Sequence, residues 1–435
     1  MKTKIIKTIL IIISVIILIS LSGCRFNKNE NANVSENQQQ ETEKEEEKTA
    51  IEIDRTVDFD GDIAVVTHTS NFVGTHYVID KTFNVLSSYE GNSTYVDGYM
   101  QIPDEENKKT NIIDINGNIV FSYGDYDYEK VELVENGCII TTKQSDTYNS
   151  SNTVTGVYGL AENKYLIEPS EEYVNKIRTF GDNMLVLNDD NTEFYNLETK
   201  SIITYSERVA REFKDGYSVE EDNDNYEIWY LKVFDDKGNI KRIQSPYKEE
   251  EIVYGREHAN GMAFEVTSYI YRNEDGNERA RTFCSVFNLE TGEAKDLSDE
   301  FWMVTNKPQY TEDGYALVTF SNQGGTPYYT VIDRNGNKLF EPQKVNDNAA
   351  FQPDDNGEPR KIVTDNLQEG NYFVVTDNGI STVIDKDNKV VLVAGEDETF
   401  EGVTNNAVKV HWEKQGNRDK YYYKDLQGNK ISILL

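Results

Sequence analysis

Cysteine, histidine and basic residues are scarce in this chain, and each shortage removes a class of explanation. Only three cysteines occur in 435 residues. None lies in a Cys-X-X-Cys pair or a Cys/His cluster, which argues against a structural zinc site or a disulfide framework. Besides Cys24, the chain holds Cys138 and Cys284, in widely separated strand-like runs, and both are expected to be buried, unpaired thiols. The four histidines (His68, His76, His258 and His411) are scattered. No Gly-X-Ser-X-Gly, His-Glu-X-X-His or phosphate-binding glycine loop accompanies them, so histidine-based catalysis is not expected. Lys and Arg number 44 against 77 Asp and Glu, for a net charge of −33. So acidic a surface disfavours nucleic acid, whose phosphates need basic partners. It favours solubility and cationic partners.

What is present is a repeated unit, clearest from Asp313 to Pro342. Asp313-Gly314 reads as a turn, because glycine takes positive φ without steric cost. Tyr315 to Phe320 and Tyr328 to Ile332 have the aromatic and β-branched composition of strands. Asp333-Arg334-Asn335-Gly336-Asn337 reads as a hairpin turn, and a short strand then stops at Pro342. Related units open at Asp97-Gly98, Asn136-Gly137, Asp215-Gly216 and Asn260-Gly261, with weaker openings at Asp60-Gly61, Gly181-Asp182, Glu369-Gly370 and Asn405-Asn406. The unit recurs about nine times at a mean period of roughly 43 residues, in the range of propellers and other repeat arrays. Further apolar runs such as Val131 to Val134 and Ile362-Val363 bring each unit to about four strands, the content of a propeller blade.

The expected architecture is therefore all-β: one β-propeller over residues 51–435, of about eight four-stranded blades within a range of seven to nine. A β-solenoid is the alternative. The last unit shows three strand-like runs, and Ile51 to Val57 has the pattern of a fourth. That N-terminal strand is expected to complete the last blade and close the ring, which removes an exposed sheet edge.

Residues 1–24 form a targeting segment. Lys2, Lys4 and Lys7 precede the apolar run Ile9 to Leu21, and Leu21-Ser22-Gly23-Cys24 follows. This is the pattern of a secretory signal peptide. The tetrapeptide resembles the lipobox of bacterial lipoproteins, and the resemblance implies cleavage before Cys24 and diacylglycerol on its thiol. That places the mature N-terminus on the cell membrane, outside the cytoplasm, since each buried methylene contributes about 0.8 kcal/mol. Residues 25–50 are almost devoid of apolar side chains and rich in Glu, as expected for a disordered acidic tether. The repeat units themselves resemble degenerate WG repeats of bacterial surface and secreted proteins: Val331-Ile332-Asp333 through Phe340-Glu341-Pro342 follows the second half of that pattern, and Tyr158-Gly159 stands at the Trp-Gly position. Most units lack that pair. The resemblance implies a β-repeat fold and no defined chemistry.

No catalytic, metal or cofactor-binding residue stands out. Asp222 to Asn225 and Asp354 to Gly357 lack the ligand spacing and distal Glu of a calcium loop, and read as solvated turns. Tyrosine is abundant, at 28 copies, with clusters at Tyr123-Tyr126-Tyr128, Tyr269-Tyr271, Tyr328-Tyr329 and Tyr421-Tyr422-Tyr423. Aromatic faces with polar tips suit peptide or glycan binding, and strand propensity accounts for them equally. The sequence thus points to a lipid-anchored module that binds an envelope protein, peptide or glycan, or serves as a scaffold in the envelope. The alternative is an envelope glycan-active enzyme using a carboxylate pair.

Overall fold

The computed structural model describes residues 50–434 except 60–61, 71–72, 92, 105, 125–126, 145–151, 225–227, 247–251, 273–275, 277, 323–324, 346–369, 378 and 415–416. The leader, Cys24, the tether through residue 49, the Asp60-Gly61 turn, Tyr126, Ile362-Val363 and Asp354 to Gly357 lie outside the described residues, as do the side chains of Tyr269 and Tyr271. No helix among the described residues is long and apolar enough to cross a membrane.

Successive hairpins build nine antiparallel sheets among the described residues, each a blade. They span residues 63–90, 94–124, 130–170, 178–204, 217–244, 252–296, 303–344, 372–393 and 398–431, here blades 1 to 9. Counted over the described residues, blades 1, 5 and 8 have three strands and the other six have four. Nine blades is the upper end of the expected range, because each of the nine repeat openings read from the sequence, weak ones included, has its own sheet.

The core is divided in the same way. Adjacent strand residues point to opposite faces of a sheet, so each blade contributes to two cores. Ile112 packs with Leu133 and Ile139 of blade 3, while Ile113 packs with Ile63 and Val78 of blade 1. Leu317 packs towards Phe373 of blade 8, while Ala316 and Val318 pack towards Phe264 of blade 6. Nine such clusters occur among the described residues, each shared by two consecutive blades. One of them joins Ala64, Val66 and Ile79 of blade 1 to Ala407 and Tyr423 of blade 9. A solenoid would leave its first and last units at opposite ends. Here they share a core, and the array is a closed propeller.

The N-terminal run bonds to the last blade, but it is not the missing fourth strand that the sequence pattern led us to expect. Blade 9 already has four strands, because Glu398–Thr404 forms one that the sequence pattern does not reveal. Residues 50–59 add isolated contacts instead of a full ladder. Ala50 bridges Leu434, Ile53 bridges Tyr421, and Ile51 N donates to Ile433 O at 2.9 Å. Farther along, Val57 N donates to Tyr423 Oη at 2.8 Å, Tyr423 Oη donates back to Val57 O at 2.8 Å, and Thr56 Oγ1 donates to Glu401 at 2.7 Å. Asp54 N also donates to Thr67 O of blade 1 at 2.7 Å. The segment therefore ties blade 9 to blade 1.

A second turn motif repeats between the last two strands of a blade. In Asp114-Ile115-Asn116-Gly117-Asn118, Asp114 Oδ1 accepts from the N–H groups of Asn116 and Asn118, and Asn118 Nδ2 donates to Oδ2, all at 2.9 Å. The same geometry recurs at Asp235, Asp333 and Asp425. Burial works against ionisation of Asp114, but the bonds from Asn118 and Asn116 outweigh it and lower its pKa. The Asn429 side chain does the same for Asp425. The fourth residue of the motif has positive φ and is usually glycine: Gly117, Gly238, Gly336 and Gly428. In blade 1 that place is taken by Phe83, at φ +63°.

Candidate functional site: a polar cavity where four blades converge

The opening turns of the repeats, between the first two strands of blades 2, 3, 4 and 6 and just before the first strand of blade 5, form a chain of contacts from blade to blade. Asp97 Oδ2 accepts from Asn136 N at 2.7 Å. Glu135 accepts from Asn183 N, and the Asn136 amide donates to the Asn183 side chain. Asp182 Oδ2 accepts from Asp215 N, and Asp215 Oδ2 accepts from Asn260 N, each at 3.0 Å. Asn260 Nδ2 then donates to Tyr310 O at 2.7 Å. These residues sit at positive φ at Asp97, Asn136, Asn183, Asp215 and Asn260. Asp and Asn tolerate that region, and their short polar side chains can still reach a neighbouring turn.

The turns of blades 2 to 4 wall a cavity of about 760 Å³, lined by Tyr95, Asp97, Glu135, Asn136, Asp182 and Asn183. Residues 57–58 and the Ala64-Val65 edge of blade 1 complete the wall. A space touched by four successive blades lies where they converge, towards the middle of the ring. Its size is within the range of ligand sites, roughly 300–1,000 Å³. Its polar lining is of acceptors and amides. Asp97 and Asp182 each spend Oδ2 on the next turn. Asp58 is paired with Lys409 at 2.7 Å, and that lysine is almost fully buried. The arrangement can accept hydrogen bonds from, and balance the charge of, a cationic group. Sequence reasoning saw these residues only as turn formers. The signal was present in the Asp or Asn placed next to glycine in unit after unit.

The other candidate residues are distributed elsewhere. His68 and His76 lie on blade 1, His258 on blade 6 and His411 on blade 9. His76 has structural partners on both ring nitrogens: Nδ1 is 3.0 Å from Thr67 Oγ1, and Nε2 is 3.0 Å from Gly91 O. His258 Nε2 meets Tyr217 O at 3.2 Å, and burial lowers its pKa. Cys138 and Cys284 are free and buried on different blades, as expected, and burial raises both thiols. Lys200 Nζ, 3.2 Å from Cys138 Sγ, opposes that rise. Two tyrosines serve as joints between consecutive blades. Tyr205 Oη donates to Asp235 O at 2.5 Å, and Tyr329 Oη donates to Asn388 at 2.9 Å. Tyr123 and Tyr128 pack edge to face at 6.0 Å. Asp222 to Asp224, expected in a turn, belong to the strand Tyr217–Asp224. No cluster of His, Cys, Asp and Glu able to hold a metal ion occurs among the described residues.

No family model matches the chain, and no curated protein does. Solved structures similar to it include a eukaryotic initiation factor, at 7% identity and TM-score 0.44, covering 86% of this chain and 95% of that one. BamB from Moraxella catarrhalis aligns at 10% identity and TM-score 0.30, over 85% of this chain and 97% of that one. The β-propeller domain of the Trilobed protease from Pyrococcus furiosus, described as having an open velcro topology, aligns at 10% identity and TM-score 0.30, over 86% and 98%. At these scores the likenesses carry no argument about function.

Proposed function

We propose that the chain is a membrane-anchored extracytoplasmic lipoprotein of degenerate WG-repeat type whose propeller is a binding module. In this reading residues 1–24 are the signal peptide and lipobox, Cys24 carries the lipid, and residues 25–50 tether the ring to the membrane. The cavity walled by the turns of blades 2 to 4 carries the binding reading, because acidic and amide side chains converge there on one space of ligand size. Its ligand is an envelope protein or peptide presenting a basic side chain. The carboxylate rim supplies charge-assisted acceptors, which are stronger than neutral ones.

The competing reading, a glycan-active enzyme, needs a carboxyl group kept protonated as general acid beside a second carboxylate. Burial does raise Asp236. It follows the strand Ile228–Asp235 and is not among the residues lining the cavity. This favours binding over catalysis.

Two measurements on cells and on the full chain test the proposal. Metabolic labelling with a clickable palmitate analogue should mark the wild-type chain and not Cys24→Ala, which should keep its uncleaved leader; a labelled Cys24→Ala chain contradicts the anchor. A peptide array should show lysine- and arginine-rich peptides bound by the wild type and lost from Asp97→Asn/Asp182→Asn. Binding that is indifferent to both substitutions contradicts the cavity as the site.

A further inference from the structure

Asparagine followed by glycine recurs in the turns of this chain. Among the described residues the pairs are Asn116-Gly117, Asn136-Gly137, Asn260-Gly261 and Asn335-Gly336. Each pair holds a nucleophile beside an electrophile. The glycine main-chain nitrogen can attack the asparagine Cγ, forming an N–C bond and expelling the side-chain nitrogen as ammonia. The resulting succinimide is opened by water at either carbonyl, giving aspartate or isoaspartate, and no oxidant or reductant takes part. Glycine favours the step because no Cβ shields its nitrogen. In a folded chain the step depends on whether the turn has room to rearrange.

The four pairs differ in that respect. Asn136 and Asn260 belong to opening turns, and their side-chain amides are engaged, Asn136 with the Asn183 side chain and Asn260 with Tyr310 O at 2.7 Å. Their main-chain N–H groups are held as well, by Asp97 and Asp215. Asn116 and Asn335 stand instead at the third place of Asp-X-Asn-Gly-Asn turns, and both are exposed. The glycine N–H is bonded alike in both turns, Gly117 to Asp114 O at 3.0 Å and Gly336 to Asp333 O at 2.9 Å. Packing separates them. Gly336 is buried, and a Cβ there would stand 2.9 Å from Leu297. Gly117 is exposed, and the nearest atom to such a Cβ would be the Tyr89 hydroxyl, 4.0 Å away. The equivalent glycines of blades 5 and 9 are also close-packed, Gly238 at 3.2 Å from Ile203 and Gly428 at 3.0 Å from Leu392. The turn of blade 2 is therefore the loosest of these four around its glycine.

We propose that Asn116 is a site of spontaneous modification, cyclising on the Gly117 nitrogen and opening to aspartate and isoaspartate while Asn136, Asn260 and Asn335 remain amides. The product places a new carboxylate two residues from Asp114. As isoaspartate it also lengthens the main chain by one carbon. Both changes work against the bonds that Asp114 accepts from Asn116 N and Asn118 N, so the strands Lys109–Asp114 and Ile119–Gly124 of blade 2 are loosened. The inference makes no use of the cavity of blades 2 to 4.

The test incubates the full chain in detergent, in mildly alkaline buffer made with heavy-oxygen water. Proteolysis and fragmentation mass spectrometry then read each asparagine separately, and the chain in denaturant is the reference. In the folded chain Asn116 should take up heavy oxygen and split into aspartate and isoaspartate. Asn335 should convert about tenfold or more slowly, because rearranging a close-packed turn raises the barrier. In denaturant all four should convert at comparable rates. Hydrogen exchange should be faster over blade 2 in the aged protein than in the fresh one. Leu297→Ala should speed conversion at Asn335 and leave Asn116 unchanged. The wild-type comparison decides the question even where that variant fails to fold. Asn335, Asn136 or Asn260 converting as fast as Asn116 in the folded chain would overturn the proposal. So would an Asn116 that stays an amide there while the denatured chain converts.

Discussion

The joint between blades 6 and 7 and the joint between blades 9 and 1 do the same work with different materials. Between blades 6 and 7 the chain is continuous. The turn after Asp333 lays Gly336 on the preceding blade so closely that a Cβ there would stand 2.9 Å from Leu297 and 3.3 Å from Val286. The equivalent turn of blade 1 has no continuous neighbour to lean on. It carries Phe83 in the glycine place, 6% exposed, with its ring 5.0 Å from Tyr423 of blade 9 and 5.3 Å from Phe59. The joint at Gly336 is made close by the absence of a side chain. The seam is made by inserting one, and by the N-terminal segment that crosses it. A ring closed by non-covalent contacts needs at its last joint the area that chain connectivity makes less necessary elsewhere.

This contrast predicts unequal responses to substitution. Phe83→Ala should be the most damaging, costing about 3–5 kcal/mol as a buried aromatic is lost, measured by denaturant melts. Phe83→Gly removes still more volume, yet glycine accepts φ +63° without strain, so it should be no worse than alanine. A clearly worse glycine variant would mean that the backbone there is not under steric constraint. At the regular joint the order reverses. Gly336→Ala adds one methyl group at φ +69° against Leu297 and should destabilise by roughly 2 kcal/mol.

Smaller effects distinguish the turns. Asp215→Ala removes the acceptor for Asn260 N and should cost about 1 kcal/mol, the ordinary contribution of one hydrogen bond. The acid response should come from Asp114, Asp425 and Glu398. Burial opposes ionisation of Glu398, and bonds from Lys424, Tyr422 and Gly395 overcome it and lower its pKa. A carboxylate lowered in the folded state contributes stability above its unfolded pKa, about 4 for Asp and Glu, and loses it as pH falls through the folded value. Stability should therefore fall below about pH 4. The fall should be shallower in Asp425→Asn and Glu398→Gln, which already lack part of that contribution at neutral pH.

The parts of this fold written in local chemistry were legible in the sequence. Asp-Gly and Asp-X-X-Gly-Asn announce turns because the backbone there demands positive φ and a bonded carboxylate. The strand Glu398–Thr404 was not legible, because its alternation is broken by the irregularity between Phe400 and Gly402. Nor was the blade-to-blade chain of Asp97, Asp182 and Asp215. Those side chains bond residues 33–45 positions away, a spacing that depends on how tightly the ring is wound. Phe83 did leave a trace: the frame from Asp80 to Asn84 keeps the motif's first and last residues and changes only the glycine.

The central claim is that the ring is closed, with residues 50–59 seated on blade 9. Ala50 and Leu434 form a bridge across that closure, and both are exposed. Cysteines placed at these two positions, with Cys138 and Cys284 buried, should form a disulfide on mild oxidation and raise the melting temperature over the reduced protein. A pair that stays reduced under conditions that oxidise exposed thiols, with no change in melting temperature, would contradict the closed ring.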